Sequence, residues 1–318
     1  MPLQLRATRL PLAQIDLNDD TFALTIPDAP AADPGLEASI AEIGILHPPI
    51  VQEKANSLYR VVAGVKRLRA ISTTRTACDC LLLAANTSPT ETLAAAFAET
   101  RASRPPTALE KALFLNKGLR WLDEEQVARR FLPMLGEKGD LQQLRQHLQL
   151  LQLEEPLLLA LQNGTLDESV ARDLAEMSFI DRMTLFDLIS LLTLSVDDQR
   201  KLVTGCREVA KRNGTNITAV LDDQDLNAIL NHEASTPPQK AEQLMSWLAD
   251  HCSPRQQAAE KEFQAFRAQF ALPQGVTLHH VQSFAEDTVT MEVTFANREQ
   301  LERLWPSLRE ILVDKGED

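Results

Sequence analysis

Cysteine and histidine are scarce in this sequence, and their spacing does not suit a metal site. The 318 residues include four cysteines and six histidines. Only Cys78 and Cys80 lie close together, and a C-x-C pair without a second Cys or His pair is not a zinc pattern. His279 and His280 fall on a predicted strand, where neighbouring side chains point to opposite faces. We therefore predict reduced, buried cysteines and no metal site built from cysteine or histidine.

Long apolar runs and an excess of positive charge are also lacking. The longest apolar runs have about six residues, as in CLLLAA at 80–85, whereas a membrane-spanning helix needs about 20. The first residues, MPLQLRATRLPLAQID, contain no apolar block of the kind found in signal peptides. We therefore expect a cytoplasmic protein with no membrane partner. The formal net charge of −13 argues against broad nonspecific binding to nucleic acid, which needs a positive face.

One segment, residues 54–75, is basic and contains no acidic residue. Within it, Gly64 follows a predicted strand at 58–63 and precedes a predicted helix at 65–72. The N–H groups of a helix N-terminus and basic side chains both bind anions, and glycine lets the backbone approach a ligand closely. From spacing alone, this segment is either a site for a nucleoside triphosphate or DNA phosphate, or a solvated basic helix face. Its basic residues are Lys54, Arg60, Lys66, Arg67, Arg69 and Arg75.

The pattern of elements predicts an α+β protein of three parts. Short helices and strands alternate over residues 1–103, and residues 104–233 are helical and leucine-rich. The segment ASTPPQ at 234–239 is a linker signal within the third part, 234–318. In that part, strands at 276–281 and 288–295 precede an amphipathic helix, which together form a ββα unit. So small a unit must pack on the rest of the chain or on a second copy.

Residues 36–70, LEASIAEIGILHPPIVQEKANSLYRVVAGVKRLRA, resemble the first two sequence boxes of the ParB family of partition proteins, which has the ParB/sulfiredoxin-like fold. The family's phosphate motif, G-E-R-R-x-R-A, reads GVKRLRA at 64–70 in this chain. A third box, E-N-x-x-R followed by a helix with E-x-A, aligns without a gap with ETRASRPPTALEKA at 99–112. The helical segments 163–177 and 192–203 resemble the stretch after the family's helix-turn-helix. The ββα tail is similar in pattern to its C-terminal dimerisation unit.

The resemblance implies a CTP-dependent DNA clamp with three functional parts. CTP and Mg²⁺ would bind between the phosphate motif and the third box, a helix-turn-helix would read DNA, and the tail would hold a homodimer. Glu99 would be the metal ligand. The implied nucleotide-binding residues are Gly44, Gly64, Val65, Lys66, Arg67, Arg69, Glu99 and Thr100.

The sequence departs from the family pattern at functional positions. Val65 stands in place of the acidic residue of the phosphate motif, and Lys66 stands in place of its first arginine. Lysine lacks the guanidinium that can bind a phosphate with two parallel hydrogen bonds. Thr100 and Ser103 replace the asparagine and the arginine of the third box. Two nearby arginines, Arg101 and Arg104, are candidates to replace the missing arginine of the third box.

The helix-turn-helix also departs from the family. EEQVARRF at 124–131 fits its first helix, but the connection at 132–140 is several residues longer than a tight turn. The candidate DNA-reading residues that follow are Gln142, Arg145 and Gln146. Glutamine can read adenine, but this helix has few basic residues to neutralise phosphates. The alternative is a helix of an α-bundle with a glutamine-rich outer face.

We therefore expect a divergent ParB-like protein that binds CTP or another nucleoside triphosphate with Mg²⁺. It would act as a dimeric clamp or adaptor for an unidentified protein partner, with reduced DNA contact. Two alternatives stay open: a site-specific DNA-binding partition or transcription-regulating protein, and a phosphoryl-transfer enzyme of the same fold. A sulfiredoxin activity is not expected, because residues 64–69 contain no cysteine. Enzyme activity would be at most slow nucleotide hydrolysis, and we assign no catalytic residue.

Overall fold

The computed structural model describes residues 3–26, 34–54, 57–252, 262–269, 272–273, 275–280, 289–299, 301–302 and 305–306. The chain divides into two compact units, Met1–Val203 and Thr204–Asp318. The boundaries predicted from sequence, after residues 103 and 233, stay predictions. Among the described residues, no helix combines the length and the apolar character needed to cross a lipid bilayer.

A five-stranded mixed sheet organises the N-terminal part of the chain. Its strands in chain order are β1 (Leu5–Pro11), β2 (Ile15–Asp16), β3 (Ile50–Glu53), β4 (Tyr59–Ala63) and β5 (Ala77–Leu83). Their order across the sheet is β1-β5-β3-β4-β2. The pairs β1–β5 and β3–β4 are antiparallel, and β3–β5 and β2–β4 are parallel. The central strand β3 is therefore paired along both of its edges.

Alternating side chains of the strands enter two separate cores, one on each face of the sheet. Val51 and Val61 pack with residues of the first two helices, α1 (Pro34–Ile43) and α2 (Val65–Ile71). Their neighbours Ile50 and Val62 belong to the other core, which includes residues of the helices that follow the sheet. This division follows from the two-residue period of a strand.

The next two helices each begin with a capping box. Helix α3 spans Pro89–Ser103 and α4 spans Ala108–Gly118. Ser88 and Thr107 each accept a hydrogen bond from the backbone N–H three residues later, and the glutamate at that position returns the bond. Two backbone or side-chain groups at each helix start are thus satisfied reciprocally. The remaining helices of the first unit are α5 (Glu124–Phe131), α6 (Leu141–Gln149), α7 (Glu155–Asn163), α8 (Glu168–Ala175) and α9 (Phe179–Leu192).

Three phenylalanine rings in contact join α3, α4 and α5. Phe97 and Phe114 have ring centroids 4.2 Å apart, and Phe114 and Phe131 are 4.7 Å apart. All three side chains are buried. Gly118 lets α5 approach, because a Cβ at this position would lie 2.6 Å from Cε2 of Phe131. The helix that follows the sheet is therefore packed rigidly on the helical region.

Helix α10 (Val196–Asn213) contains the boundary between the two units. The second unit continues with α11 (Ile217–Leu221), α12 (Gln224–Asn231), α13 (Pro237–Cys252), β6 (Val276–His280) and β7 (Val289–Val293). The two strands are antiparallel, with Leu278 opposite Met291. The predicted strand pair and the α+β class are therefore confirmed. Most of the predicted last helix lies outside the described residues.

Candidate anion-binding site

A cavity of about 760 Å³ lies at the junction of β4 and α2. Its walls come from residues 17–26, from the end of α1 with the loop to residue 47, from residues 61–69, and from α3 through the start of α4. All eight residues predicted to bind a nucleotide line it, namely Gly44, Gly64, Val65, Lys66, Arg67, Arg69, Glu99 and Thr100. The fold thus brings together residues that are up to 56 positions apart in the sequence, from Gly44 to Thr100.

Gly64 turns the chain from β4 into α2. It caps α2 in a left-handed conformation, with φ of 91° and ψ of 24°, which disfavours any residue with a side chain. A Cβ here would also lie 3.1 Å from Nε and Nη2 of Arg67. The glycine is therefore needed both for the turn and for the position of the arginine folded back over it.

Arg67 connects three walls of the cavity. Its Nη2 donates to Oε1 of Glu99 on α3 at 2.8 Å, and its Nη1 donates to the backbone carbonyl of His47. The side chains of Arg67 and Glu99 are only 20% and 22% exposed. The positive charge of Arg67 is therefore already balanced by a carboxylate that is largely shielded from water.

The charges of Lys66 and Arg69, unlike that of Arg67, are not balanced by a carboxylate of the described residues. In the described part of the chain, neither has a carboxylate within ion-pair distance, and Arg69 donates only to the carbonyl of Leu17, at 3.3 Å. Lys66 is exposed and Arg69 is half-buried. Because they are three positions apart on α2, their side chains share one side of the helix. These two residues supply the positive charge that remains available in the cavity.

The third sequence box contributes Arg104 rather than Arg101. Arg104 lines the cavity and makes two hydrogen bonds to the buried carboxylate of Glu110, at 2.8 and 2.6 Å. These bonds raise the pKa of Arg104. Arg101 donates to the carbonyl of Met134 at 2.9 Å and is not among the lining residues. Of the two predicted substitutes for the missing arginine, Arg104 is the one placed at the cavity.

Residues 17–26 form another wall of the cavity, and this role was not predicted from the sequence. We call this segment the strap. It begins next to Asp16, which forms an ion pair with Lys54 at 3.0 Å, as does Asp19. The Nζ of Lys117 donates to the carbonyls of Asp20 and Thr21. The one available sequence signal was TFALTI at 21–26, whose alternate residues are apolar.

Two further contacts hold the strap against the helices. The ring of Phe22 stacks on Trp121, with centroids 5.8 Å apart. The N–H of Ile26 donates to Oε1 of Gln162 on α7 at 2.7 Å. The strap therefore belongs structurally to the helical region as much as to the sheet. Burial lowers the pKa of Lys117, the lysine that binds the strap carbonyls.

The predicted DNA-reading residues lie on α6, away from the cavity. Gln142, Arg145 and Gln146 are exposed, and their spacing puts them on one face of that helix. Nη2 of Arg145 is 3.1 Å from Oε2 of Glu124 on α5, and both side chains are exposed. The face therefore offers hydrogen-bonding groups and one cation that is already paired.

The carboxylates that line the cavity do not form a metal-binding cluster. In the described ranges, no group of three or more His, Cys, Asp or Glu side chains is arranged to hold a metal ion. Glu99, the predicted metal ligand, is occupied by Arg67. The hydroxyl of Thr100 donates within α3, to the carbonyl of Ala96 at 3.2 Å. Arg67 takes one oxygen of Glu99, so at this position the residue offers Mg²⁺ a single carboxylate oxygen with a cation beside it, a poor fit to the oxygen ligands that Mg²⁺ requires.

Comparison with known proteins finds similarity to solved ParB structures. No protein-family model matches the chain, and a search of curated proteins finds no significant relative. A C-terminally truncated ParB of Caulobacter crescentus bound to the centromeric parS site is 20% identical, with a TM-score of 0.33, over 62% of this chain and 98% of that one. The same protein complexed with CTP-γ-S is 22% identical, with a TM-score of 0.26, over 58% and 99% of the two chains. A Pnob8-like ParB-N domain is 15% identical, with a TM-score of 0.35, over 77% and 94%.

The chain thus resembles ParB proteins among solved structures, as it does in its sequence boxes.

Proposed function

We propose that this chain is a divergent ParB-like protein that binds the phosphates of a nucleoside triphosphate and acts as a dimeric clamp or adaptor. The observation that carries the proposal is the cavity itself. It collects all eight residues of the predicted set, and among the described residues neither Lys66 nor Arg69 has a carboxylate partner. Its volume lies within the usual range for small-molecule sites, about 300–1,000 Å³. Two such cations on one helix face suit an anionic ligand with several phosphates.

The cavity also suits the less polar end of such a ligand. Phe22, Leu24, Ile40 and Ile43 line it, and Ile43 is exposed. A nucleotide would then place its phosphates at α2 and its base toward the apolar wall. CTP is the first nucleotide to test, because the sequence boxes resemble those of a CTP-binding family.

The proposed adaptor role includes reduced contact with DNA. The single cation among the predicted reading residues, Arg145, is paired with Glu124. Such a face releases few counterions from DNA, and counterion release dominates affinity for duplex DNA. The alternative is a site-specific DNA-binding protein. An electrophoretic mobility-shift assay that found affinity falling steeply with salt would favour that alternative.

The proposed dimer forms through the C-terminal strands. The apolar face predicted for 288–295 includes Val289 in β7 and Phe295 just after that strand, which are 45% and 44% exposed. Trp305 in the following helical segment is also exposed. A second copy would cover this face, and analytical ultracentrifugation with Phe295→Glu and Trp305→Glu variants tests it. A wild-type chain that sediments as a monomer would contradict the dimer.

Calorimetric titration of CTP, ATP and GTP tests the nucleotide site. Lys66→Ala and Arg69→Ala should each weaken binding by about 10- to 100-fold, as expected for the loss of one charge-assisted hydrogen bond. Lys211→Ala, at an exposed position of α10, is the matched control and should bind like the wild type. Arg67→Ala is a poor probe, because it also breaks the contacts with Glu99 and His47. Failure of the wild type to bind any of the three nucleotides would refute the proposal.

A further inference from the structure

Most of the carboxylates that line the cavity are already paired with a cation of the protein. Three of its four carboxylates are engaged by a specific cation in the described structure. Glu99 is paired with Arg67 at 2.8 Å, Glu110 with Arg104 at 2.6 Å, and Asp19 with Lys54 at 3.0 Å. The fourth, Asp20, is exposed.

The pair of Arg67 and Glu99 is held more firmly than a surface ion pair. Both side chains are about four-fifths buried, Arg67 also donates to the carbonyl of His47, and its guanidinium packs over Gly64. Arg67 bonds only Oε1 of Glu99, so a divalent cation at this residue would use the other carboxylate oxygen and lie beside the guanidinium. Two cationic groups side by side in a place largely shielded from water are unfavourable at low dielectric constant.

The charge that a divalent cation would contribute is already present in the cavity. Lys66 and Arg69 carry two positive charges, and neither has a carboxylate partner among the described residues. Both side chains belong to α2, so this charge is fixed at the phosphate motif. The cavity therefore has two tethered positive charges that do not depend on a bound divalent ion.

We propose that the cavity binds the phosphates of its ligand without a divalent cation, and that Glu99 is the counterion of Arg67 rather than a metal ligand. This inference rests on the proposed nucleotide-binding function. It distinguishes this chain from the arrangement implied by its family resemblance, in which Mg²⁺ joins the nucleotide to the third box. Lys66 and Arg69 provide the positive charge at the phosphates, and the Arg67–Glu99 pair holds α2, α3 and the loop at His47 in position.

Calorimetric titration of wild-type protein with CTP and with inorganic tripolyphosphate, each in Mg²⁺ and in EDTA, tests the inference. Affinity for both probes should be nearly the same in the two buffers. A loss of about tenfold or more in EDTA would overturn the inference while leaving the nucleotide-binding function intact. Absence of binding by either probe in both buffers would overturn the inference and the proposed function together.

Glu99→Gln provides a second readout. If Glu99 only balances Arg67, the variant removes a negative charge near the ligand and should bind tripolyphosphate in EDTA at least as tightly as the wild type. If Glu99 binds a metal, the variant should instead lose any enhancement of CTP binding by Mg²⁺. Thermal denaturation identifies a misfolded variant, and the wild-type comparison between Mg²⁺ and EDTA does not depend on the substitution.

Discussion

Gly118→Ala should destabilise the protein, because the space beside this glycine is already filled. The added Cβ would lie 2.6 Å from Cε2 and 2.8 Å from Cδ2 of Phe131. Phe131 is buried and packs at a tilt against Phe114, which in turn stacks on Phe97. A shift of the Phe131 ring away from the new methyl group would therefore disturb a filled core. Gly118 lies at the end of α4, so alanine suits the backbone and the expected cost comes from packing.

Overpacking of a filled core costs about 1–3 kcal/mol. The higher helix propensity of alanine returns at most about 1 kcal/mol. We therefore expect the free energy of unfolding to fall by about 1–2 kcal/mol, measured by urea denaturation followed by circular dichroism. Asn116→Ala is the control, since residue 116 is exposed on the same helix, and it should change stability by less than about 0.5 kcal/mol.

A double-mutant cycle separates packing from other causes. Phe131→Leu removes part of the ring that the new methyl group would contact, so adding it to Gly118→Ala should cost less than the sum of the two single substitutions. Strict additivity would refute the argument, as would a Gly118→Ala variant as stable as the wild type.

Three other predictions concern single groups. Burial raises the pKa of Cys80 and Cys206 to about 12. Iodoacetamide in mildly alkaline solution should therefore leave both thiols of the native protein unmodified, which peptide mass spectrometry can check; rapid alkylation would contradict their burial. Ser88→Ala removes the cap of α3 and should lower the free energy of unfolding by about 1 kcal/mol, whereas an unchanged urea midpoint would show that the cap contributes nothing. Burial would raise the pKa of Asp19, but its hydrogen bonds, including that from Lys54, outweigh burial and hold the pKa below its ordinary value of 3.8. The resulting stabilisation is present above pH 3.8 and is lost as pH falls through the lowered pKa. Asp19→Asn should therefore reduce the fall in the free energy of unfolding at acid pH, and an unchanged fall would contradict this.

The parts of the site that sequence reasoning found are those that local chemistry specifies. A glycine between an apolar strand and a basic helix predicts the turn at Gly64, and Ser or Thr three residues before Glu predicts the starts of α3 and α4. Each of these signals lies within a few residues of the feature it predicts. The placement of Glu99 beside the basic motif came from the family resemblance.

The strap and the division of roles among the basic residues were not predictable in this way. The strap is held by Lys117 and Gln162, which are 96 and 136 positions from their partners Thr21 and Ile26, and no local pattern encodes such contacts. Sequence also could not show which cation of α2 pairs with Glu99. That depends on the direction of the Arg67 side chain over Gly64, which only the folded backbone determines.

The anchoring of the strap has a consequence for the order in which the protein is synthesised. Most residues that line the cavity precede residue 104, yet Lys117 and Gln162 leave the ribosome only later. A nascent chain that ends after α3 could pair its five strands but would lack the donors that hold Asp20, Thr21 and Ile26. Ligand binding should therefore begin only once α7 has emerged, and a fragment made for binding studies should extend beyond that helix.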